Sequence, residues 1–266
     1  MTPLALDSPV HARPEAGPAD VFLRCVRDAN ERARYRTLKQ TLAAHRPLFA
    51  GRRVLDFGAS HGPGICALME LGAAEVVGVE PVAAWVEAGQ PILRAGGWGA
   101  RTRLIHVADT RALPFPEASF DLVLANAVLE HIPQPRGAWI RELWRVLRPG
   151  GHLLVNETPN RYLPRDVHTT GLWWVPWLPR EAARRYAVAR GRFRPDGDWA
   201  GSGWRGLGYR ELVGALEGAY TLVPERTRPR HRLLAALGLP ASLLDPYPTW
   251  IVRKESPGRP LAADGG

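Results

Sequence analysis

The chain has 266 residues, of which 45% are hydrophobic and 23% are charged, with 27 glycines and 25 prolines. This composition fits one globular domain with room for a small insertion, and it excludes a fibre or a chain that is disordered throughout. Cys25 and Cys66 are the only cysteines. Two are too few for a disulfide framework or a four-thiolate zinc site, so we expect a reducing compartment.

The net charge is +9, from 35 basic and 26 acidic residues. A basic balance favours a nucleic acid or an anionic surface as partner. However, alanine, glycine, proline and arginine are abundant together, as a GC-rich genome produces, and the charge is not gathered into one tract. We therefore attribute the charge to codon bias and expect no nucleic-acid partner.

The first residues, MTPLALDSPVHARPEAGPAD, lack a basic segment followed by an apolar run of about seven residues. We therefore expect no signal peptide. No uncharged apolar run approaches the roughly 20 residues that span a bilayer. These patterns predict a cytoplasmic protein without a transmembrane segment, for which only peripheral membrane contact is possible.

Apolar periodicity predicts the elements along the chain. Residues 1–19 are predicted to be disordered, and amphipathic helices follow from Asp20 to about residue 45. Strands are predicted at RVLDF (53–57), EVVGV (75–79), RLIHV (103–107), FDLVLA (120–125) and HLLVN (152–156). Helices are predicted between them, the last of which ends at the Pro and Gly of RPGG (148–151). This alternation predicts a doubly wound, parallel α/β sheet.

After Pro159 the alternation is interrupted by an insertion, residues 160–206, with five tryptophans and an arginine-rich helix at about 179–191. The alternation returns with a helix at 209–216 and strands at 220–225 and 249–254. We therefore divide the chain into a core (20–159 and 207–255), an acceptor-binding lid (160–206) and a disordered tail (256–266).

The first strand ends in a glycine-rich turn, VLDFGASHGPG (54–64). Glycine allows a tight turn and a close approach to a ligand, and N–H groups at a helix start favour a negative group. By itself the motif is also compatible with an ordinary strand-to-helix turn. Glu80 ends the second strand, where a carboxylate can accept both hydroxyl protons of a ribose, and Asp109 after the third strand can accept from an exocyclic amine. Taken alone, each of these carboxylates is more often a solvated loop residue.

Four consecutive segments, VLDFGASHGPG, VVGVEP, ADTRALPFPEASFDLVLANAVLEHI and ELWRVLRPGGHLLVNETPN, resemble the motifs of class I S-adenosylmethionine-dependent methyltransferases over residues 53–159. The resemblance implies a Rossmann-like, seven-stranded, mostly parallel sheet with the last strand antiparallel, and S-adenosyl-L-methionine as cofactor. It places these residues at the cofactor: Asp56 and Gly58 at the methionine part, Glu80 at the ribose, Asp109 with Ala108 at the adenine, and Asn126 beside the sulfonium.

One position departs from the family pattern D-x-G-x-G-x-G. Ser60 replaces the middle glycine, between Gly58 and Gly62. If this position needs a positive φ, serine costs on the order of 1 kcal/mol, and its hydroxyl can bond the cofactor's carboxylate instead.

The same serine gives an alternative. GASHG (58–62) matches G-x-S-x-G, the nucleophile elbow of serine hydrolases, with Ser60 as the nucleophile. That fold has several strands before its elbow, whereas only a predicted tail and helices precede RVLDF. Dehydrogenase and P-loop glycine patterns are absent, as are HExxH and paired-cysteine motifs, so we expect no metal.

Two histidines follow strands at the edge where doubly wound sheets bind ligands: His131 after the fourth strand and His168 after the fifth. Either can serve as the base that a hydroxyl acceptor needs, with His168 preferred, or be a hydrogen-bonded packing residue. PNRY, His168 and WLP resemble a substrate-facing segment of some class I members. This similarity places Asn160 and Arg161 beside the acceptor, although Arg161 also fits an ordinary surface charge.

ANAVLEH stands where the family's nitrogen methyltransferases have Asp/Asn-Pro-Pro-Tyr, so the resemblance argues against a nitrogen acceptor and favours an oxygen or a small-molecule carbon. We expect methylation of an oxygen on an acceptor that is small, glycan-linked or lipid-linked. In LWWVPWLP (172–179), Trp173 and Trp174 can stack on such an acceptor, rest at a membrane interface, or pack on the core. Segment 226–244 has basic residues before an apolar stretch, so it too can contact a membrane interface or pack in the protein. We expect it to be a buried connection. The alternatives are a non-catalytic cofactor-binding protein and an RNA methyltransferase.

Overall fold

The computed structural model describes residues 20–223 and 245–256. The predicted tail 1–19, the segment 226–244 and nearly all of the predicted tail 256–266 lie outside these residues. The chain forms two compact units that divide between Leu124 and Ala125, inside strand β4 (Phe120–Asn126). Within the described ranges, no helix has both the length and the apolar character needed to cross a membrane.

The first unit alternates helices and strands. Its elements are α1 (Val21–Cys25), α2 (Ala29–Ala44), β1 (Arg53–Phe57), α3 (Pro63–Glu70), β2 (Glu75–Glu80), α4 (Ala83–Gly96) and β3 (Thr102–His106). Strands β1, β2 and β3 pair in parallel. Consecutive residues of β1 and β2 are buried, which explains why these strands appear in the sequence as continuous apolar runs.

The two N-terminal helices are attached to α3 through the buried carboxylate of Glu70. Its oxygens accept hydrogen bonds from the Val21 N–H and the Tyr35 hydroxyl, each at 2.7 Å, and from Lys39 Nζ at 2.5 Å. Asp28 caps α2 by accepting from the Glu31 N–H at 2.8 Å. The contacts with Glu70 therefore hold both helices against the last residue of α3.

The second unit contains α5 (Gly137–Val146), β5 (Leu147–Asn156), α6 (Arg180–Ala189), α7 (Tyr209–Val213), β6 (Tyr220–Leu222) and β7 (Trp250–Lys254). Strand β7 is antiparallel to both β5 and β6. All seven strands form one sheet in the order β3-β2-β1-β4-β5-β7-β6. The predicted doubly wound sheet with an antiparallel last strand is confirmed.

Some predicted boundaries are wrong. Strand β5 begins at Leu147 and includes RPGG, whereas the strand was predicted to begin at residue 152. Gly150 has a φ of +77°, which L side chains disfavour, and this glycine allows the irregular start of the strand. Helix α7 ends at Val213, three residues before the predicted end, and is followed by Gly214. Strand β6 ends at Leu222.

Residues 160–206 contain a hydrophobic cluster of their own. Its buried members are Val175, Ala183, Ala187, Trp199 and Trp204. The rings of Trp199 and Trp204 stack with centroids 5.0 Å apart. In contrast, Trp173, Trp174 and Trp177 are each more than half exposed. The tryptophans therefore divide into a packing pair and an exposed group of three.

Candidate active site

The turn between β1 and α3 has the left-handed backbone that its sequence suggested. Gly58, Ser60 and Gly62 have φ values of +72°, +49° and +97°. Ser60 has a Cβ and is therefore strained there by about 1 kcal/mol or more. A non-glycine residue kept in this conformation is typical of a functional turn.

Most N–H groups of this turn donate within the protein. Gly58 N and Ala59 N both donate to the Val79 carbonyl, at 2.9 and 3.0 Å, and Gly62 N donates to Ala59 O at 2.9 Å. The sequence suggested that such groups face a negative ligand. Instead they fasten the turn to the end of β2, and side chains are left to contact a ligand.

Glu80, at the end of β2, is the buried carboxylate beside this turn. It is 7% exposed, and its Oε2 and Oε1 accept from the backbone N–H groups of Ser60 (2.9 Å) and Val82 (3.1 Å). Burial raises its pKa, while these two hydrogen bonds and His106 oppose the rise. A carboxylate has about four acceptor positions, so Glu80 is fixed in place and can still accept from two further hydroxyls.

Asp56 lies in β1 directly under the start of α3. Its carboxyl is 3% exposed, and Oδ2 has no hydrogen-bond partner among the described residues. A Cβ on Gly64 would lie 2.3 Å from that oxygen, so only glycine allows the helix to approach. Burial, and then the charge of Glu80, raise the pKa of Asp56 to about 7 despite a hydrogen bond from the Ile65 N–H.

Asp109 and Ala108 lie in an exposed turn after β3. Arg111 holds the Asp109 carboxylate through Nε at 2.9 Å and Nη2 at 2.8 Å, and its N–H adds a third contact at 3.0 Å. These contacts lower the pKa of Asp109 to about 2. Any amine that bonds Asp109 must therefore share it with an arginine that the sequence pattern did not single out.

The hydrolase alternative finds a partial arrangement around Ser60. Its Oγ lies 3.0 Å from His61 Nδ1, and His61 Nε2 lies 3.2 Å from Glu31 Oε2. However, no hydrogen bond joins the last two atoms, and neither has another partner among the described residues. Burial lowers the pKa of His61 to about 4. A nucleophilic serine needs a base oriented by a hydrogen-bonded acid, which is missing here.

In the second unit, polar side chains join the ends of β4 and β5. Asn126 Nδ2 donates to Glu157 Oε2 at 3.1 Å, and Asn126 Oδ1 accepts from Asn156 Nδ2 at 2.7 Å. Thr249 Oγ1 donates to Asn156 Oδ1 at 2.9 Å. Ala127 and Glu157 have φ values of +50° and +54°, so both strands end in strained, left-handed residues.

Both predicted histidines lie in one cluster, with Glu130 as a third member. The rings of His131 and His168 are edge to face with centroids 5.3 Å apart. His131 Nε2 lies 3.9 Å from Glu130 Oε1, and His131 Nδ1 lies 2.8 Å from the Gly201 carbonyl. Burial raises the pKa of Glu130, although His131, Thr158 and Arg136 oppose the rise. The sequence placed both histidines at the same edge of the sheet, and the structure brings their rings together. The sequence did not indicate that the buried carboxylate of Glu130 lies beside them.

His168 is positioned by a tight turn built on Asp166. This buried carboxylate accepts from the backbone N–H groups of His168 and Thr169 at 3.0 Å each and of Thr170 at 2.8 Å. The Tyr247 hydroxyl donates to Val167 O at 3.1 Å, next to the histidine. The turn is therefore fixed by hydrogen bonds to the Asp166 carboxylate within it and by the hydrogen bond from Tyr247, which lies before β7.

Arg161 lines a cavity of about 370 Å³, whereas Asn160 does not. The cavity walls are Arg161, Tyr162, Pro176, Trp177, Arg205, Gly208, Arg210 and Glu211. Asn160 is buried and holds the backbone, accepting from the Tyr162 N–H and donating to Asp245 O, both at 3.0 Å. Trp177 lines this cavity, whereas Trp173 and Trp174, predicted to contact the acceptor, are not among its lining residues.

The charge of the cavity is positive. Among the described residues, Glu211 is the only acidic one that lines it. Glu211 already pairs with the buried Arg136 at 3.2 Å and faces Arg161 at 3.8 Å. Arg205 and Arg210 add two further charges. Such a wall attracts carboxylate or phosphate groups, which arginine binds through two parallel hydrogen bonds.

Comparisons with known proteins agree with this architecture. The family model described as "Methyltransferase domain" matches residues 55–155. An "Uncharacterized methyltransferase" of Mycobacterium marinum (strain ATCC BAA-535 / M) is 37% identical over 187 residues, covering 68% of this chain and 67% of the relative. The chain belongs to the S-adenosylmethionine-dependent methyltransferases.

Further relatives of this methyltransferase match over less of their length. The chain covers 65% of an "Uncharacterized methyltransferase" of Mycobacterium sp. (strain KMS), at 37% identity over 178 residues, 64% of this chain. A "27-O-demethylrifamycin SV methyltransferase" of Amycolatopsis mediterranei (strain S699) is 36% identical over 121 residues, 45% of this chain and 43% of that one. The PH0226 protein of Pyrococcus horikoshii OT3 shares the fold, with a TM-score of 0.54 at 17% identity over 90% of this chain and 95% of its own.

Proposed function

We propose that this methyltransferase transfers the methyl group of S-adenosylmethionine to an oxygen of a small, glycan-linked or lipid-linked acceptor. The cluster of Glu130, His131 and His168 carries the proposal, because a hydroxyl is a weak nucleophile until its proton is removed. A relative is named for 27-O-demethylrifamycin SV, which supports a small acceptor that carries a free oxygen.

The first unit has the donor set that the cofactor requires. Glu80 accepts from the two ribose hydroxyls through acceptor capacity that its backbone contacts leave open. Ala108 and Asp109 bind the adenine. Asp56, Gly58, Ser60 and Gly62 would hold the methionine part. The bound cofactor supplies a methyl group on a positively charged sulfur, which needs little further activation.

The histidines supply the base. A carbonyl oxygen only accepts hydrogen bonds, so the contact with Gly201 O places the hydrogen of His131 on Nδ1 and leaves Nε2 as a proton acceptor. His131 or His168 takes the hydroxyl proton while the oxygen–carbon bond forms and the sulfur–carbon bond breaks. Such a base contributes about 10²- to 10⁴-fold to the rate.

Residues 160–206 form the acceptor lid in this proposal. The cavity of about 370 Å³ combines Arg161, Arg205 and Arg210 with the exposed ring of Trp177. This combination suits an acceptor with an anionic group and a flat or sugar-like face. The exposed Trp173 and Trp174 provide further stacking surface, or contact a membrane that carries a lipid-linked acceptor.

The test is incubation of the protein with methyl-labelled cofactor and fractionated cell extract. Label in a small-molecule, glycan or lipid fraction supports the proposal, and we expect His131→Ala or His168→Ala to reduce it by at least 100-fold while cofactor affinity in calorimetry stays unchanged. His45→Ala, a histidine at the end of α2, is the matched control. Label in RNA supports the RNA alternative, and tight cofactor binding without label supports a non-catalytic protein.

A further inference from the structure

We propose that Glu130, His131 and His168 bind a divalent transition-metal ion. One ligand atom from each residue can be chosen so that all three lie within 4.8 Å of one another. No metal was expected from the sequence, because the familiar metal-binding motifs have their ligands close together along the chain. Here the fold joins an adjacent Glu–His pair after β4 to a histidine after β5.

The buried carboxylate of Glu130 has one oxygen with a partner and one without. Its side chain has 0% exposure, and Oε2 accepts from the Thr158 hydroxyl at 3.0 Å. Oε1 has no hydrogen-bond partner among the described residues and lies 3.9 Å from His131 Nε2. Burying an unpaired carboxylate oxygen is costly unless a donor or a cation meets it. An ion between these two atoms removes that cost.

His131 has the hydrogen bond that metal-binding histidines commonly make. Its Nδ1 donates to the Gly201 carbonyl at 2.8 Å, which fixes the tautomer and leaves the lone pair of Nε2 facing Glu130 Oε1. A backbone carbonyl in this position orients the ring and makes the other nitrogen a better ligand.

The third ligand is held by backbone geometry. The Asp166 turn fixes the main chain of His168, and its carboxylate is occupied by backbone donors, so Asp166 is not itself a ligand. Gly203, at φ +81°, closes the cluster from the other side. A Cβ there would lie 2.7 Å from His168 Cδ2 and 3.1 Å from Glu130 Cγ, so glycine is required for this approach.

The donor set selects the class of ion. Two imidazoles and one carboxylate suit Zn²⁺, Mn²⁺, Fe²⁺ or Co²⁺, whereas Mg²⁺ and Ca²⁺ prefer oxygen ligands. With bonds of about 2.1 Å, ligand atoms of a tetrahedral site lie about 3.4 Å apart. The distance of 3.9 Å between His131 Nε2 and Glu130 Oε1 must therefore shorten by about 0.5 Å, and a pair of ligand atoms 4.8 Å apart must approach by about 1.4 Å.

Three protein ligands leave coordination positions for a further oxygen. The catalytic role of the ion rests on the proposed function: an acceptor hydroxyl bound there loses its proton to solvent water more easily, so the cluster acts through the ion instead of taking the proton on a ring nitrogen. Metal binding itself does not depend on the acceptor.

The test is a Co²⁺ titration of the full chain, without an affinity tag and stripped of metal, followed by visible absorption. We expect one Co²⁺ per chain with a spectrum typical of nitrogen and oxygen ligands. His131→Ala, His168→Ala and Glu130→Gln should each weaken binding by 10- to 100-fold or more, with circular dichroism confirming that each variant folds. His45→Ala should bind as the unmodified protein does.

Absence of a Co²⁺ spectrum, or a spectrum that all three variants retain, would show adventitious binding only and overturn the proposal. A second measurement separates it from the proposed function. If Co²⁺ binds as expected but no fraction accepts label with or without metal, the proposed function fails and the metal site stands. If label transfer occurs in protein that binds no Co²⁺, the metal site fails and the histidine base stands.

Discussion

Replacing Asp56 by asparagine should stabilise the protein at neutral pH in the absence of cofactor. Asp56 is 3% exposed, and burial and the nearby Glu80 raise its pKa from 3.8 to about 7. This rise corresponds to roughly 4 kcal/mol of lost folding free energy when the group is ionised. Asparagine keeps an oxygen that can accept from the Ile65 N–H but cannot ionise.

The sign follows from proton binding. The folded-state pKa lies above the unfolded-state value, so the folded protein holds the proton more tightly and its stability falls as pH rises. The cost is absent below about pH 4, grows up to about pH 7 and is fully present above that value. The difference in stability between Asp56→Asn and the unmodified protein should therefore grow over the same interval.

The assay is thermal melting of both proteins from pH 4 to pH 8 without cofactor. At about 2 to 4 °C per kcal/mol for a chain of this size, the variant should melt about 10 °C higher at pH 8 and near the same temperature at pH 4. Asp196→Asn, whose side chain is 69% exposed, is the control and should show no pH-dependent difference. An Asp56→Asn difference that does not change with pH, or a lower melting temperature at pH 8, would refute the reasoning.

Three other substitutions test neighbouring parts of the molecule. Gly64→Ala places a Cβ 2.3 Å from Asp56 Oδ2 and should lower the melting temperature by roughly 5 °C or more through overpacking. Glu80→Gln turns an amide hydrogen towards a backbone N–H and should weaken cofactor binding at least tenfold in calorimetry. Trp199→Ala removes the ring that stacks on Trp204 and should cost about 3 to 5 kcal/mol, seen as faster proteolysis within 160–206.

The sheet could be predicted because its signals are local. Strand β1 occupies the predicted residues 53–57, since its apolar run is bounded by arginine before it and glycine after it. The order of strands and helices then fixes the topology through the handedness of the crossovers. The end of α7 at Val213 was missed because the apolar spacing continues to Leu216, although Gly214 interrupts the helix.

Contacts between distant residues could not be predicted in the same way. The adjacency of Glu130 and His131 after a strand was visible in the sequence, but their approach to His168 and Gly201 depends on the path of residues 160–206. Likewise, Trp173, Trp174 and Trp177 lie close together in the sequence, and only the turn before α6 decides that Trp177 lines the cavity.

Groups that lower stability collect at the ends of the strands. In the first unit these are the Asp56 oxygen without a hydrogen-bond partner among the described residues and Ser60 in the left-handed conformation. Cofactor binding alone would explain both of them. In the second unit they are Ala127 and Glu157, both left-handed, and the unpaired oxygen of Glu130. Cofactor binding alone does not explain a buried carboxylate held open beside two histidines. Its cost is offset if the second unit performs a reaction or binds an ion, so a protein that does neither and only binds the cofactor leaves Glu130 without a reason to be there.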